Sequence, residues 1–167
     1  MFPLQIRLKK RADGSSAQSC TRLDGTVTWQ SLREGQAAFF TRHDLTHIAV
    51  ETVLRHRLGF YGLLASGWKF SDFSSAWPRG RIPVNADPSE LLVGLLDAEH
   101  ASGTRCSAAE LNQFVVQFFY SHGAAASSAI TEQQLADIRA MLCDLLAQWA
   151  AVPAGESLVL SFDPGRA

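Results

Sequence analysis

The stretch LQIRLKKRADGSSAQSCTRLDGTVTW, residues 4–29, decides the architecture. Leu4, Ile6 and Leu8 alternate with Gln5, Arg7 and Lys9, the two-residue period of a strand with one buried face. Asp13-Gly14-Ser15-Ser16 is turn chemistry, and Ala17 to Leu23 reads as the returning strand. Asp24-Gly25 is a second hairpin signal, followed by the β-formers of Thr26-Val27-Thr28-Trp29. A small antiparallel meander is therefore expected. At the far end SLVLSF, residues 157–162, reads as one more strand closing the same sheet.

The chain between them reads as helical. The first helix is expected over residues 42–57, interrupted by Gly59-Phe60-Tyr61-Gly62, with a short helical or irregular stretch to about Trp68. Residues 69–86, with Pro78, Gly80 and Pro83, read as a long loop. Asp87 is placed to cap the next helix, with Pro88 at its first position and Glu90 at its third. Ser107-Ala-Ala-Glu110 forms another capping box, and behind it Leu111, Phe114, Val115, Phe118 and Phe119 make one apolar stripe. Thr131-Glu-Gln-Gln134 opens the last helix, whose inward face is Leu135, Ile138, Leu142, Leu145, Leu146 and Trp149, and Pro153 and Gly155 end it. Ala124 to Ser128 is a hinge of small residues. Strands, then about four helices, then a strand spell an α+β fold, with residues 1–167 as a single domain.

Composition excludes several functions. The formal net charge is −1, which leaves no general basic field for nucleic acid. Cys20, Cys106 and Cys143 are scattered, without a Cys-x-x-Cys pair, and read as reduced thiols of a cytoplasmic protein. MFPLQIRLKKR places its charges after a short apolar stretch, the wrong order for a secretory leader. No apolar run approaches the roughly 20 residues that span a bilayer. Neither a Gly-x-Ser-x-Gly elbow nor a phosphate-binding glycine loop is present.

The chemistry concentrates in FFTRHDLTHIAVETVL, residues 39–54. On a helix, with His43 at zero, His47 falls at roughly 40°, Glu51 at roughly 80° and Asp44 at roughly 100°. Val50, Leu54 and Leu58 share that arc at roughly −20°, 20° and 60°. Ionisable residues within an apolar stripe must find partners, because burying one alone costs several kcal/mol. Two imidazoles at i and i+4 are spaced to hold one ion, and Glu51 is placed either as a ligand or as an acceptor for the His47 ring N–H. On the helix after Pro88, Leu91, Leu92, Leu95 and Leu96 define the expected buried face. Glu99 projects onto that face as an outside ligand, while Glu90 and Asp97 point away; His100 and His122 are flanking histidines.

His43-Asp44-Leu45-Thr46-His47 resembles the His-Glu-x-x-His helix of zincin metallopeptidases, with Asp in place of Glu, over five residues of 167. The resemblance implies zinc held by His43 and His47, with Asp44 as general base toward a metal-bound water. It further implies a hydrolase acting on a small-molecule or peptide substrate. Aspartate has the shorter arm, and Thr41-Arg42-His43-Asp44 also has the spacing of a helix cap, so Asp44 has a structural reading too. A second functional reading is a non-enzymatic interaction module with structural histidines. Its binding segment would be the aromatic stretch 60–77 (Phe60, Tyr61, Trp68, Phe70, Phe73, Trp77), with Lys69, Arg79 and Arg81 nearby. The same rings also read as a roof over the core.

Overall fold

A computed structural model describes residues 3–74, 88–121 and 128–163. Strands β1 (Leu4–Lys10), β2 (Ser16–Thr21), β3 (Val27–Leu32) and β4 (Ser157–Phe162) form one antiparallel sheet in the order β3-β2-β1-β4. The N-terminal meander forms as its alternation and turns dictate. Gly14 and Gly25 adopt φ of +78° and +80° in its two turns, a conformation other residues resist. β4 pairs with the free edge of β1, Leu4 opposite Phe162 and Ile6 opposite Leu160. Ile6 also faces Cys20 across β2, so Leu4, Ile6, Leu8, Cys20 and Phe162 share the buried face. Gln5, Arg7 and Lys9 alternate outward into solvent.

Six helices are found among the described residues: α1 (Glu34–Leu54), α2 (Phe60–Ala65), α3 (Ser71–Ser74), α4 (Ser89–Ser102), α5 (Ala108–Ser121) and α6 (Glu132–Ala151). The fold is α+β, as expected. α1 is the central helix, packed against α6, α4 and α2 and touching β2 and β3. Every residue from Asp44 to Glu51 is buried, so this part of α1 has no solvent face. None of the described helices is long and apolar enough to cross a membrane.

Several expectations need correction. α1 begins at Glu34, eight residues before the expected start, with Arg33 extended at its N-cap and no side-chain cap. Thr41 and Asp44 therefore lie mid-helix, and the capping reading of Asp44 fails. α1 also ends earlier, where Arg55 turns left-handed at φ 56° and its N–H returns to Glu51 O and Thr52 O. α3 falls inside the expected loop 69–86, its turn fixed by Lys69 N–H donating to Asp72 Oδ2 at 2.8 Å. Pro88 occupies the N-cap of α4. Pro78, Gly80, Pro83, Asp87 and residues 124–127 of the hinge lie outside the described residues.

Both later capping boxes form: Ser107 with Glu110, and Thr131 with Gln134. The stripe of α5 divides. Leu111 and Val115 are buried, but Phe114 and Phe118 are 50% and 44% exposed. The side chain of Asn112 ties this helix to Ile130, donating to its carbonyl and accepting from its N–H.

This division separates two substitutions that the apolar pattern alone treats alike. Ile6→Ala is expected to cost about 2–5 kcal/mol of folding stability, and half-exposed Phe114→Ala under about 1 kcal/mol. Urea unfolding of both variants measures the difference; equal losses would contradict the observed placement of α5.

Candidate metal centre

His43 and His47, one turn apart on α1, stand with ring centroids 4.9 Å apart and planes at 76°. Each imidazole has its Nδ1 committed to a carboxylate. His47 Nδ1 lies 3.0 Å from Glu51 Oε1, and His43 Nδ1 lies 2.7 Å from Asp97 Oδ2. An ionised carboxylate only accepts, so both Nδ1 atoms carry protons. The two Nε2 atoms are left to face one further carboxylate, Glu90, in the first turn of α4. His47 Nε2 is 3.4 Å from Glu90 Oε1, and His43 Nε2 is 3.8 Å from Glu90 Oε2. These separations are ion-pair contacts outside hydrogen-bond geometry, and His47 Nε2 is a buried nitrogen without a hydrogen-bond partner. Ligand atoms of His43, His47 and Glu90 all fall within 4.8 Å of one another, so the three could hold a metal ion.

Glu51 fixes the inner side. Its Oε2 accepts the backbone N–H groups of Tyr61 at 3.0 Å and Gly62 at 3.2 Å, at the start of α2. Gly59 precedes that helix and offers no capping side chain, so the Glu51 carboxylate caps α2 from outside it. The approach is close: a Cβ on Gly59 would meet Glu51 Cδ and Ser89 Oγ at 2.5 Å each. Ser89, which immediately precedes Glu90, also contacts His56 Nδ1 at 2.8 Å. Asp97 is held in turn by Arg42, Nε to Oδ1 at 3.2 Å.

Burial and charge set the proton affinities of the metal-free site. Burial works against a charged His47, but the hydrogen bond to Glu51 and the facing Glu90 outweigh it, raising the imidazole pKa to about 10. Burial likewise pushes the Glu51 carboxyl up, opposed by His47 and the α2 amides. Facing His47, Glu90 is held below the usual carboxylate range. Asp44 is buried, its Oδ2 has no hydrogen-bond partner, and desolvation raises its pKa to about 7 against the pull of His47.

The expected residues thus divide. His43 and His47 come together; Glu51 is the acceptor behind His47, with both oxygens occupied. Asp44 is outside the three-residue cluster and buried, where its charge acts on Cys20 and Tyr61 as well as on His47. Glu99, expected as an outside ligand, instead forms a two-point ion pair with Arg139, at 3.0 and 2.7 Å, and accepts from Cys106 N–H. Glu90 and Asp97, expected to point away, are the acids that meet the histidines. The buried face of α4 (Ser89, Leu92, Val93, Leu96, Asp97) is turned roughly 100° from the one its leucines define. One signal was present in the sequence: Glu90 and Asp97 are seven apart and share a helix face. In the aromatic segment Tyr61, Trp68 and Phe70 are buried in or against the core, which supports the roof reading. Trp77, Arg79, Arg81 and His122 lie outside the described residues. Comparison with family models, curated proteins and solved structures finds no match.

The buried Asp44 has a consequence for stability. In the folded metal-free protein it holds its proton to about pH 7, whereas an unperturbed aspartate carboxyl loses it near 3.8. Between those values unfolding releases a proton, so the stability contributed by Asp44 is present at the acid end and is lost as pH rises through the window. Asp44→Asn is expected to make that decline shallower by up to about 1.4 kcal/mol per pH unit. Urea titrations of chelator-treated parent and variant across the window check this; parallel slopes would contradict it.

Proposed function

We propose that this chain is a divalent-metal protein, with zinc as its ion, and that the centre serves metal-assisted hydrolysis. His43 Nε2, His47 Nε2 and the Glu90 carboxylate are the ligands. The observation that carries this reading is the division of labour within each imidazole: both Nδ1 atoms are held by carboxylates while both Nε2 atoms converge on Glu90. A carboxylate behind a ligating histidine fixes its tautomer and raises its basicity. Without an ion, His47 Nε2 is buried outside hydrogen-bond geometry and faced by Glu90 at 3.4 Å, and an ion bound there would take the place of the proton that this nitrogen holds in the metal-free site.

The arrangement favours a reactive centre over a structural one. Structural zinc is closed by four protein ligands, whereas three ligands leave a coordination position for water or substrate. Glu90, 63% exposed in its side chain, stands at the solvent side, and buried His47 at the inner side. Zinc held this way lowers the pKa of a coordinated water and polarises a carbonyl. Asp44, next to His43 on α1, is the acid we assign to take up and return the proton of the water. The zincin-like spacing of His43, Asp44 and His47 agrees with this reading, with Glu90 in the place given to Glu51 or Glu99 by sequence alone.

Elemental mass spectrometry of purified, untagged protein tests the assignment beside Glu90→Ala and Glu99→Gln. The expected result is about one zinc per chain in the parent and in Glu99→Gln, and little in Glu90→Ala. No metal after incubation with zinc, or equal loss in both variants, would overturn the site. Iron in place of zinc, which the same donor set also suits, would keep the ligands and overturn the choice of ion.

A further inference from the structure

The metal reading leaves two large apolar side chains unexplained. Phe39 lies one helical turn before His43, its ring stacked on that imidazole at a centroid distance of 5.8 Å and an interplanar angle of 21°. Phe40 meets Phe39 edge to face at 5.3 Å. The two rings are 47% and 38% exposed, and neither belongs to the core cluster. On the inner side His47 is backed by Phe60 at 5.1 Å, so the imidazole pair has an aromatic ring at each end. Phe60 is covered by Phe70 and Phe73, whereas Phe39 and Phe40 present apolar surface to solvent beside the ligands. Exposed aromatic surface next to a set of convergent polar groups offers a small molecule apolar contact and orienting partners together.

Charge narrows the class of molecule. Arg42 is engaged by Asp97 through Nε and lies over the Phe39 ring at 5.4 Å. With a divalent ion in place, its charge and that of Arg42 balance Glu51, Glu90 and Asp97. Among the described residues around the centre, no surplus positive charge remains to attract an anion.

Resting on the metal reading, we propose that the site takes an uncharged ester or amide. Its aryl or alkyl group lies against the exposed part of Phe39 and Phe40 while its carbonyl reaches the ion. A ring one or two bonds from the carbonyl spans the turn between Phe39 and His43. Hydrolysis adds water across the acyl bond: the acyl carbon gains the hydroxyl, and the departing alcohol or amine takes the proton.

The test uses the zinc-loaded full chain and calorimetric titration with three chelators sharing one head group: acetohydroxamate, benzohydroxamate and 4-carboxybenzohydroxamate. Benzohydroxamate is expected to bind about tenfold more tightly than acetohydroxamate, the gain from covering part of one aromatic ring. Its carboxylated analogue is expected to bind more weakly than benzohydroxamate. Phe39→Ala should bring the first two within about twofold while still holding zinc. Equal binding of the first two by the parent, a preference that survives Phe39→Ala, or tighter binding of the carboxylated analogue would each overturn the proposal. A chain that does not load with zinc overturns the metal reading and this one together; zinc without the aryl preference overturns this one alone.

Discussion

A carboxylate sealed from solvent organises this structure. Glu51 has no exposed surface, and burying a charge without partners costs several kcal/mol. Each of its oxygens is therefore answered, one by the His47 ring N–H and the other by the two amides that open α2. Three parts of the chain follow from that one group. α1 leads into α2 through a turn at Arg55, α2 starts without a capping side chain of its own, and His47 is held in one tautomer with Nε2 facing outward. Glycine at position 59 follows as well, because any Cβ there would collide with the carboxylate.

The outer half of the centre depends on how α4 lies against α1. Leu92, Val93 and Leu96 bury one side of α4 in the core, which turns Asp97 inward beneath His43 and brings Glu90 alongside both rings. Arg139 pairs with Glu99 and also donates to the Cys106 carbonyl, which ties the other end of α4 to α6. Glu99 thus positions the helix that carries Glu90 and Asp97. The inner partner, Glu51, is part of the core, while Asp97 is shared with Arg42 near the surface. His43 is accordingly 22% exposed and His47 1%. Such a gradient from sealed to open suits a centre that holds an ion firmly and admits a ligand from one side.

The sheet was legible in the sequence because its signals are local. Strict alternation in β1, turn dipeptides with glycine, and a short β-forming run at the far end are each read within a few residues. The histidine pair was legible for a similar reason, since spacing along one helix needs no knowledge of its neighbours. What sits opposite the pair was not. Leucines 91, 92, 95 and 96 gave α4 a face, but the helix buries Val93 and Asp97 and turns Leu91 and Leu95 toward the edge. A rotation of that kind is decided by packing against α1, which no periodicity within α4 records. The start of α1 was missed because Gly35 and the absence of a capping side chain at Arg33 weaken the local signal. Thr41 and Asp44 imitated a cap because polar residues buried in the middle of a helix look, in sequence, like the polar residues that begin one.

The central claim is that carboxylates hold the two imidazoles through protonated Nδ1 atoms and turn both Nε2 atoms toward Glu90, where an ion would bind. Its most direct test is a long-range proton–nitrogen NMR spectrum of protein labelled with 15N at histidine, recorded through a zinc titration of parent and Glu51→Gln. Glutamine has a single acceptor oxygen and cannot serve both His47 and the α2 amides. In the parent, zinc should shift Nε2 of His43 and His47 while both Nδ1 atoms keep their protons. In Glu51→Gln the His47 signals should change, and zinc should bind about 10–100-fold more weakly. Rings unmoved by zinc, coordination through Nδ1, or unchanged affinity in Glu51→Gln would contradict it.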